Sequence, residues 1–451
     1  MNNKQSMMIC FGIAFAFLIL TVGTVTADTI EVPSVQGPTI QGAIYNATDG
    51  DIILVYPGTY EENVDVNKEL IITAESGDPA STVVKTADSN GHVFYVTADN
   101  VDISGFNIVG TTESFNSGIY LRGVEGCTIA NNIISNNNNG IALWASNDSI
   151  LSDNSVSNNN ISIYLYDSDN NMLSNNTANS NDYNGIVLSS SNDNILSGNA
   201  ANSNIGDGIV LVLSSDNTLG NNNVLNNHYG ILLSSSSSNT LSDNTANSND
   251  YNGIHMVNSN DNTLTSNTVS SNKYNGLYLS NSDDNLIYNN YFSNINNVRL
   301  YGTNTGNIWN TIKTAGANIV GGPFLGGNYW SDYIDIDVNK DGICDSPNYI
   351  DEDDIDHLPL YLASTERIEN LRAYVTGLEN LNNGGENSLD KRLGNAQSKL
   401  EEGKDDVAVT MLGNIINNDQ NGNIAWVKQL SPEQAEYIIN EIERIIDLIQ
   451  G

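Results

Sequence analysis

The residues best suited to chemistry in this chain are oxygen donors in one short loop. Asp337-Val-Asn339-Lys-Asp341-Gly342-Ile343-Cys344-Asp345 places side-chain oxygens at loop positions 1, 3, 5 and 9, with Gly at 6 and Asn348 at 12. That spacing matches a Ca²⁺ loop in which Ile343 offers its backbone carbonyl. The expected metal set is therefore Asp337, Asn339, Asp341, Ile343, Asp345 and Asn348. Asn348 stands where a bidentate acid belongs, which predicts modest affinity, and Asp351, Glu352, Asp353 and Asp354 follow closely enough to compensate. A solvated acidic turn is the other use of the same residues.

Other chemistries have less to work with. The four histidines are His92, His228, His255 and His357. Soft metals such as copper need clustered His, Cys or Met. His228 lies two residues before a repeat glycine and His255 two after one, so no stacked pair and no copper site are expected. Glycoside hydrolysis needs paired carboxylates, and elimination needs a base. Asp148, Asp169, Asp193, Asp216, Asp261 and Asp283 recur near one turn of successive repeats, as a structural column would. Asp182, Asp207 and Asp250 lie in variable turns ahead of a repeat glycine. Between residues 118 and 300 the bases are Arg122, Lys273 and Arg299, a poor complement for gripping a uronate. No catalytic residue is assigned.

These side chains must be held by something, and the held pattern is a repeat. Gly118, Gly140, Ser162, Gly185, Gly208, Gly230, Gly253, Gly276 and Asn297 recur at intervals of 22, 22, 23, 23, 22, 23, 23 and 21 residues. Aliphatic residues follow one and three positions later (Ile119 and Leu121 in the first unit), then eleven later (Ile129 to Ile308) and sixteen later (Ile134 to Phe292). Apolar residues two apart make a short strand with one buried face, and no 3.6-residue period intrudes. Three short strands per unit predict a mainly β chain, a parallel β-helix in which each coil pairs with its neighbours. Asn recurs nine positions after the marker (Asn171 to Asn285) and fourteen after it (Asn132 to Asn290). Asn supplies 47 of the 167 residues from 131 to 297, which turn geometry and stacked amide ladders explain better than a binding surface. Cys127 takes an Asn position in the first regular coil, and Cys344 lies beyond the last. Eight coil spacings separate them by roughly 40 Å, so two free thiols are expected.

Composition bounds the partners. The 451 residues carry 16 Lys plus Arg against 53 Asp plus Glu, a formal charge of −37, with 39% apolar residues. No basic stripe exists for nucleic acid, and anionic lipid is disfavoured for the same reason. The acid is divided: residues 118–297 contribute −12, almost all through Asp, whereas residues 332–356 concentrate −9. Lys4, the apolar run Met7–Leu20 and small residues before Ala27 predict an export signal cleaved after Ala27. No later run is long and apolar enough to span a membrane, so a secreted or surface location is expected.

The ends differ from the middle. Thr39–Thr48 predicts a short capping helix ahead of less regular coils. The segment GDIILVYPGTYEENVDVNKELIITAES (50–76) is similar to the opening of pectin-lyase-like right-handed β-helices. The repeats together with GGNYWSDYIDIDVNKDGICDSPNYIDEDDIDHLPL (326–360) resemble NosD-type β-helix proteins of archaeal surfaces, with Cys344 in place of an expected Gly. That resemblance covers roughly residues 30–362 and implies a right-handed β-helix. Its name also carries the suggestion of copper delivery. Arg367–Leu381, Leu389–Leu400, Val407–Ile416 and Glu433–Ile449 suit amphipathic helices, and Ser431-Pro432-Glu433-Gln434 is an N-terminal capping signature. This tail resembles the FIMAH-type helical module of secreted proteins.

The expected organisation is a signal (1–27), a cap with irregular coils (28–117), regular coils (118–320), a closing segment with the acidic loop (321–362) and a helical bundle (363–451). The expected role is structural or glycan-binding, towards an extracellular polysaccharide or cell-envelope glycan. A polysaccharide lyase, epimerase or hydrolase is the enzymatic alternative, and a copper accessory protein the second. Asn46, Asn147, Asn160 and Asn175 lie in Asn-x-Ser/Thr acceptors. No partner protein is identified.

Overall fold

The structure, a computed structural model, describes residues 27–35, 37–378, 383–416 and 430–450. The expected export signal therefore lies outside the described residues, apart from Ala27. Most repeats become one coil of three strands; the first regular coil runs through Ser117–Arg122, Thr128–Ala130 and Ile133–Ser135. Parallel pairing sets like above like: Ile119 on Ile141, Leu121 on Leu143, Ile129 on Leu151, Ile134 on Val156. These inward columns are fully buried and form one continuous core along the axis. The result is a right-handed parallel β-helix.

Stacked coils produce three faces. One is an 11-stranded sheet from Val64–Val66 to Asn296–Tyr301, hereafter the long face, and the second has 12 strands from Thr29–Val32 to Leu286–Tyr288. The third is divided into six and five strands, because Ala200 carries the ladder across the gap only as isolated bridges. Asp148, Asp193, Asp216 and Asp261 sit at φ of 53°, 56°, 58° and 55°. Their recurrence serves left-handed turns, where a short polar side chain is tolerated.

Both expected Asn columns are buried ladders. Asn154 accepts the N–H of Asn132 at 3.1 Å on Oδ1, and Asn176 accepts that of Asn154 in turn. Each side-chain amide also donates to the next Oδ1, as Asn176 does to Asn199 at 3.0 Å. A third Asn column, from Asn137 and Asn159 to Asn272 and Asn294, follows the same rule, and a serine column through Ser146, Ser168 and Ser191 accepts backbone N–H groups likewise, each hydroxyl donating to a carbonyl of its own coil. Neither was expected, although both keep the repeat period. Cys127 opens the remaining ladder, its N–H reaching Ser149 Oγ, and both cysteines are free and buried, as expected.

The open N-terminal end is covered by a helix over Ile40–Asn46, which Thr39 caps and which buries Ile40, Ala43 and Ile44. At the other end the repeat gains a residue. Ile308, expected inside, pairs with Leu286 and is 55% exposed, while Trp309 fills the core position. Asn328 then continues the second Asn ladder by accepting from Asn290 at 2.9 Å, and Trp330 stacks on Phe292 at 4.9 Å.

Among the described residues four further helices follow: Ser364–Thr376, Asn383–Glu401, Asp405–Ile416 and Pro432–Gln450. They have their own core around Ile368, Leu393, Leu412, Ile438 and Ile442. The capping signature forms as expected: Gln434 N–H donates to Ser431 Oγ, and Ser431 N–H to Gln434 Oε1. The bundle docks on the β-helix through Arg367, which pairs with Glu441 at 3.3 Å, lies 5.2 Å from the Tyr329 ring and donates to the Tyr333 carbonyl. Among the described residues no helix is long and apolar enough to cross a membrane.

Candidate functional site

The long face gathers the side chains that could meet a ligand. Its outward positions alternate with the buried ones. One column therefore reads Tyr95, Tyr120, Ala142, Tyr164, Val187, Val210, Leu232, His255, Tyr278 and Arg299 in ladder register. The parallel column includes Arg122, Trp144 and Tyr166. Trp144 and Tyr166 stack at 4.2 Å with Trp144 41% exposed, and Tyr251 and Tyr274 stack at 4.6 Å along the edge.

Two histidine-centred clusters mark the ends of this face. In the first, His92 lies flat on Tyr120 at 4.2 Å, close to Tyr95, and Tyr95 beside Arg122 raises the guanidinium's pKa. Burial, then the Arg122 charge, pushes His92 down to about 4. In the second, Asp207 Oδ1 meets His228 Nδ1 at 3.1 Å and accepts the Tyr229 N–H at 3.0 Å. Tyr229 lies between the rings of His228 (4.3 Å) and His255 (4.5 Å), and His255 stacks on Tyr278 at 4.6 Å. Burial, then the neighbouring His228, pushes His255 down to about 4. His228 and His255 do not stack directly, but Tyr229 joins them into one group, which their offsets alone did not suggest. Lys273, one residue before Tyr274, stands at the edge of a cleft of about 590 Å³ whose far wall is Tyr374 and Tyr437 of the bundle.

The acidic loop folds compactly. Asp337 accepts the N–H groups of Asp341 (3.0 Å) and Gly342 (2.7 Å), and Asp345 accepts that of Val338 at 3.2 Å. Lys340 and Gly342 take the left-handed turn at φ of 58° and 78°. Lys313 pairs with Asp341. Ile343 bridges to Leu360, and Asn348 belongs to a separate two-residue strand opposite Asp356. The loop thus brings Asp337, Asn339, Asp341, Ile343 and Asp345 into one turn, with Asn348 in the next hairpin. Among the described residues no group of three or more His, Cys, Asp or Glu side chains is arranged to hold a metal ion.

A family model described as "Periplasmic copper-binding protein (NosD)" matches residues 44–227 and 201–334, more than half of the chain. The chain belongs to the NosD family. A "Cell surface glycoprotein" of Methanothermus fervidus is 41% identical to this NosD-family chain over 91 residues. That match covers 20% of the chain and 14% of the relative, so the chain spans only a small part of that protein. Among solved structures, DFA-IIIase from Arthrobacter chlorophenolicus A6 without its lid aligns over 62% of the chain and 94% of its own length, at 14% identity and a TM-score of 0.50. The Azotobacter vinelandii mannuronan C-5 epimerase AlgE4 A-module aligns over 60% and 89%, at 17% identity and a TM-score of 0.49. Identities this low speak to the fold alone.

Proposed function

We propose that this NosD-family chain is a secreted or cell-surface β-helix protein that binds glycan along its long face without transforming it. The observation that carries this reading is the row of outward rings in ladder register, with Trp144–Tyr166 and Tyr251–Tyr274 presenting exposed stacked faces. Flat rings cover the apolar faces of sugars while hydroxyl and amide groups beside them hydrogen-bond the edges. The surface-glycoprotein relative supports the location. A glycan array with the full chain is expected to show binding that Trp144→Ala weakens about tenfold, the loss of roughly 1.4 kcal/mol of contact. Binding untouched by Trp144→Ala and Tyr274→Ala would remove the long face from the reading.

A catalytic reading draws on the second cluster, where one histidine is tied to a carboxylate and the other is held neutral. A carboxylate that orients one imidazole beside a second, neutral one is an arrangement from which a general base can act. Its test is release of reducing or unsaturated ends from polysaccharides, abolished by His228→Gln.

The loop 337–345 is proposed as a Ca²⁺ site built from Asp337, Asn339, Asp341, the Ile343 carbonyl and Asp345, with Asn348 outside it. Calorimetry with CaCl₂ should show heat that Asp337→Ala abolishes. The copper of the family description is not carried over, because Tyr229 lies between the rings of His228 and His255 and, among the described residues, no third His or Cys is grouped with them. The FIMAH-type assignment of the bundle stands as part of the same proposal.

A further inference from the structure

Both ends of the long face carry the same donor arrangement. His92 Nδ1 accepts the backbone N–H of Ser117 at 3.0 Å, which places the ring proton on Nε2. At the other end Asn252 donates Nδ2 to His255 Nδ1 at 2.9 Å, while Asn252 Oδ1 accepts from Asn275 at 2.8 Å. That chain orients the amide, so His255 also carries its proton on Nε2. Each histidine rests on a tyrosine, Tyr120 or Tyr278, and each cluster includes an arginine. Arg122 lies on the strand next to Tyr95 in the first, and Arg299 follows Tyr278 in the outward column of the second.

The charge around them is selective. The nine strands of this face from Ser117–Arg122 to Asn296–Tyr301 contain no Asp or Glu, in a chain with 53 of them. The three bases between residues 118 and 300, too few by count to grip a uronate, are gathered on one face: two lie in these strands and Lys273 lies in the turn beside them. The other two faces hold no base over the same coils. Asp65, in the first strand of the face, is exposed one ladder step from Tyr95; the other nearby carboxylates stand in the turns at the rim, where Asp167, Asp182 and Asp250 are exposed and Asp207 is engaged by His228. Across these nine strands an anionic group is therefore met by donors on the floor and by carboxylates only at the edges.

We infer that the two His–Tyr–Arg clusters are paired subsites for the acidic groups, carboxylate or sulfate ester, of one extended polysaccharide. This rests on the glycan-binding reading and adds the ligand's charge and length. Tyr120 and Tyr278 are seven ladder steps apart, about 34 Å at the usual strand spacing. Only a polymer reaches both, and joining two modest sites on one chain raises affinity without new contacts.

The test compares polygalacturonate, chondroitin sulfate and a neutral β-glucan by affinity electrophoresis of the full chain at 50 and 200 mM NaCl. One or both polyanions are expected to retard it, less so at the higher salt, and the pair shows which acidic group is preferred. Arg122→Gln and Arg299→Gln should each weaken retardation about tenfold, and together abolish it along with its salt dependence. Lys85→Gln, on another face, should change nothing, and circular dichroism melts check that every variant folds. Equal loss from Lys85→Gln, or retention by the neutral glucan with no effect of either arginine, overturns the acidic-ligand inference and leaves glycan binding standing. Absence of retardation by all three glycans, with a silent glycan array, defeats the binding reading itself.

Discussion

Asp356 shows how much one side chain carries at the closing end. It is fully buried, and Oδ2 accepts the Asn328 N–H at 2.7 Å and the Trp330 Nε1–H at 2.8 Å, while Oδ1 accepts the Leu358 N–H at 3.1 Å. Burial raises its pKa to about 7 against these stabilising bonds. A carboxyl whose folded pKa lies above its unfolded value of about 3.8 contributes stability at low pH and loses it as pH rises through 7. Asp356→Asn must turn an NH₂ towards one of those donors, so a loss of about 2 kcal/mol is expected near pH 4. The difference in melting temperature between native chain and variant should shrink from pH 4 to pH 7. Gly327→Ala should be worse, because its methyl would lie 1.7 Å from Asp356 Oδ1. None of this was legible in the sequence, where Asp356 is one acid of a dense run. Its role depends on which turn folds back over Trp330.

Coils explain both what could be read from spacing and what could not. Every property repeating at 22 or 23 residues, such as strand faces and Asn ladders, is visible as a period. The two missed ladders were visible in the same way, since Asn137 to Asn294 and Ser146 to Ser282 recur with the coil. The long-face clusters were not, because they combine different offsets in neighbouring coils: His228 and His255 are 27 residues apart, off the repeat interval. Asn199→Ala should cost about 3 kcal/mol, since it orphans the Asn176 N–H and the Leu173 carbonyl inside the core. Asn160→Ala, on the exposed rim, should cost under about 0.5 kcal/mol, and urea melts of the two variants compare them. The marker column adds a coupling test. A Cβ on Gly140 would sit 2.2 Å from Val156 Cγ1, whereas Ser162, in the next coil, has the smaller Ala178 in the corresponding place. Gly140→Ser should destabilise, and Val156→Ala in the same chain should recover part of the loss.

The whole molecule joins a rod to a bundle, and the joint rests on few groups. Arg367 and Glu441, both on bundle helices and nearly buried, pair at 3.3 Å although the Arg367 Nε finds no partner; Arg444 shares the acid, and the joint itself is made by Arg367 against Tyr329 and by Ser293 meeting Tyr437 at 3.4 Å. Removing one partner of a buried pair strands the other charge, at a cost of about 3 kcal/mol or more, whereas replacing both by apolar residues is nearly neutral. Glu441→Ala should therefore split the calorimetric transition into separate rod and bundle steps. Arg367→Met with Glu441→Leu should leave a single transition. The existence of a bundle was legible from the helical stripe of Ile438, Ile442, Ile445 and Ile449, but its docking was not. That depends on Tyr329 being held at the rod's end by the last ladder, a contact across domains with no sequence period.

The ladders also give the rod a polarity. In each Asn column the carbonyl oxygen points back towards the previous coil and the NH₂ group points onward, as from Asn154 to Asn176 to Asn199. Aligned amide dipoles add, so three parallel columns leave a partial positive charge at the C-terminal end. Two of them terminate on acids there: Asn297 Nδ2 donates to Asp332 at 2.6 Å, and the Asn328 N–H donates to Asp356. The acidic closing segment thus acts as the counter-electrode of a side-chain macrodipole running the length of the coils.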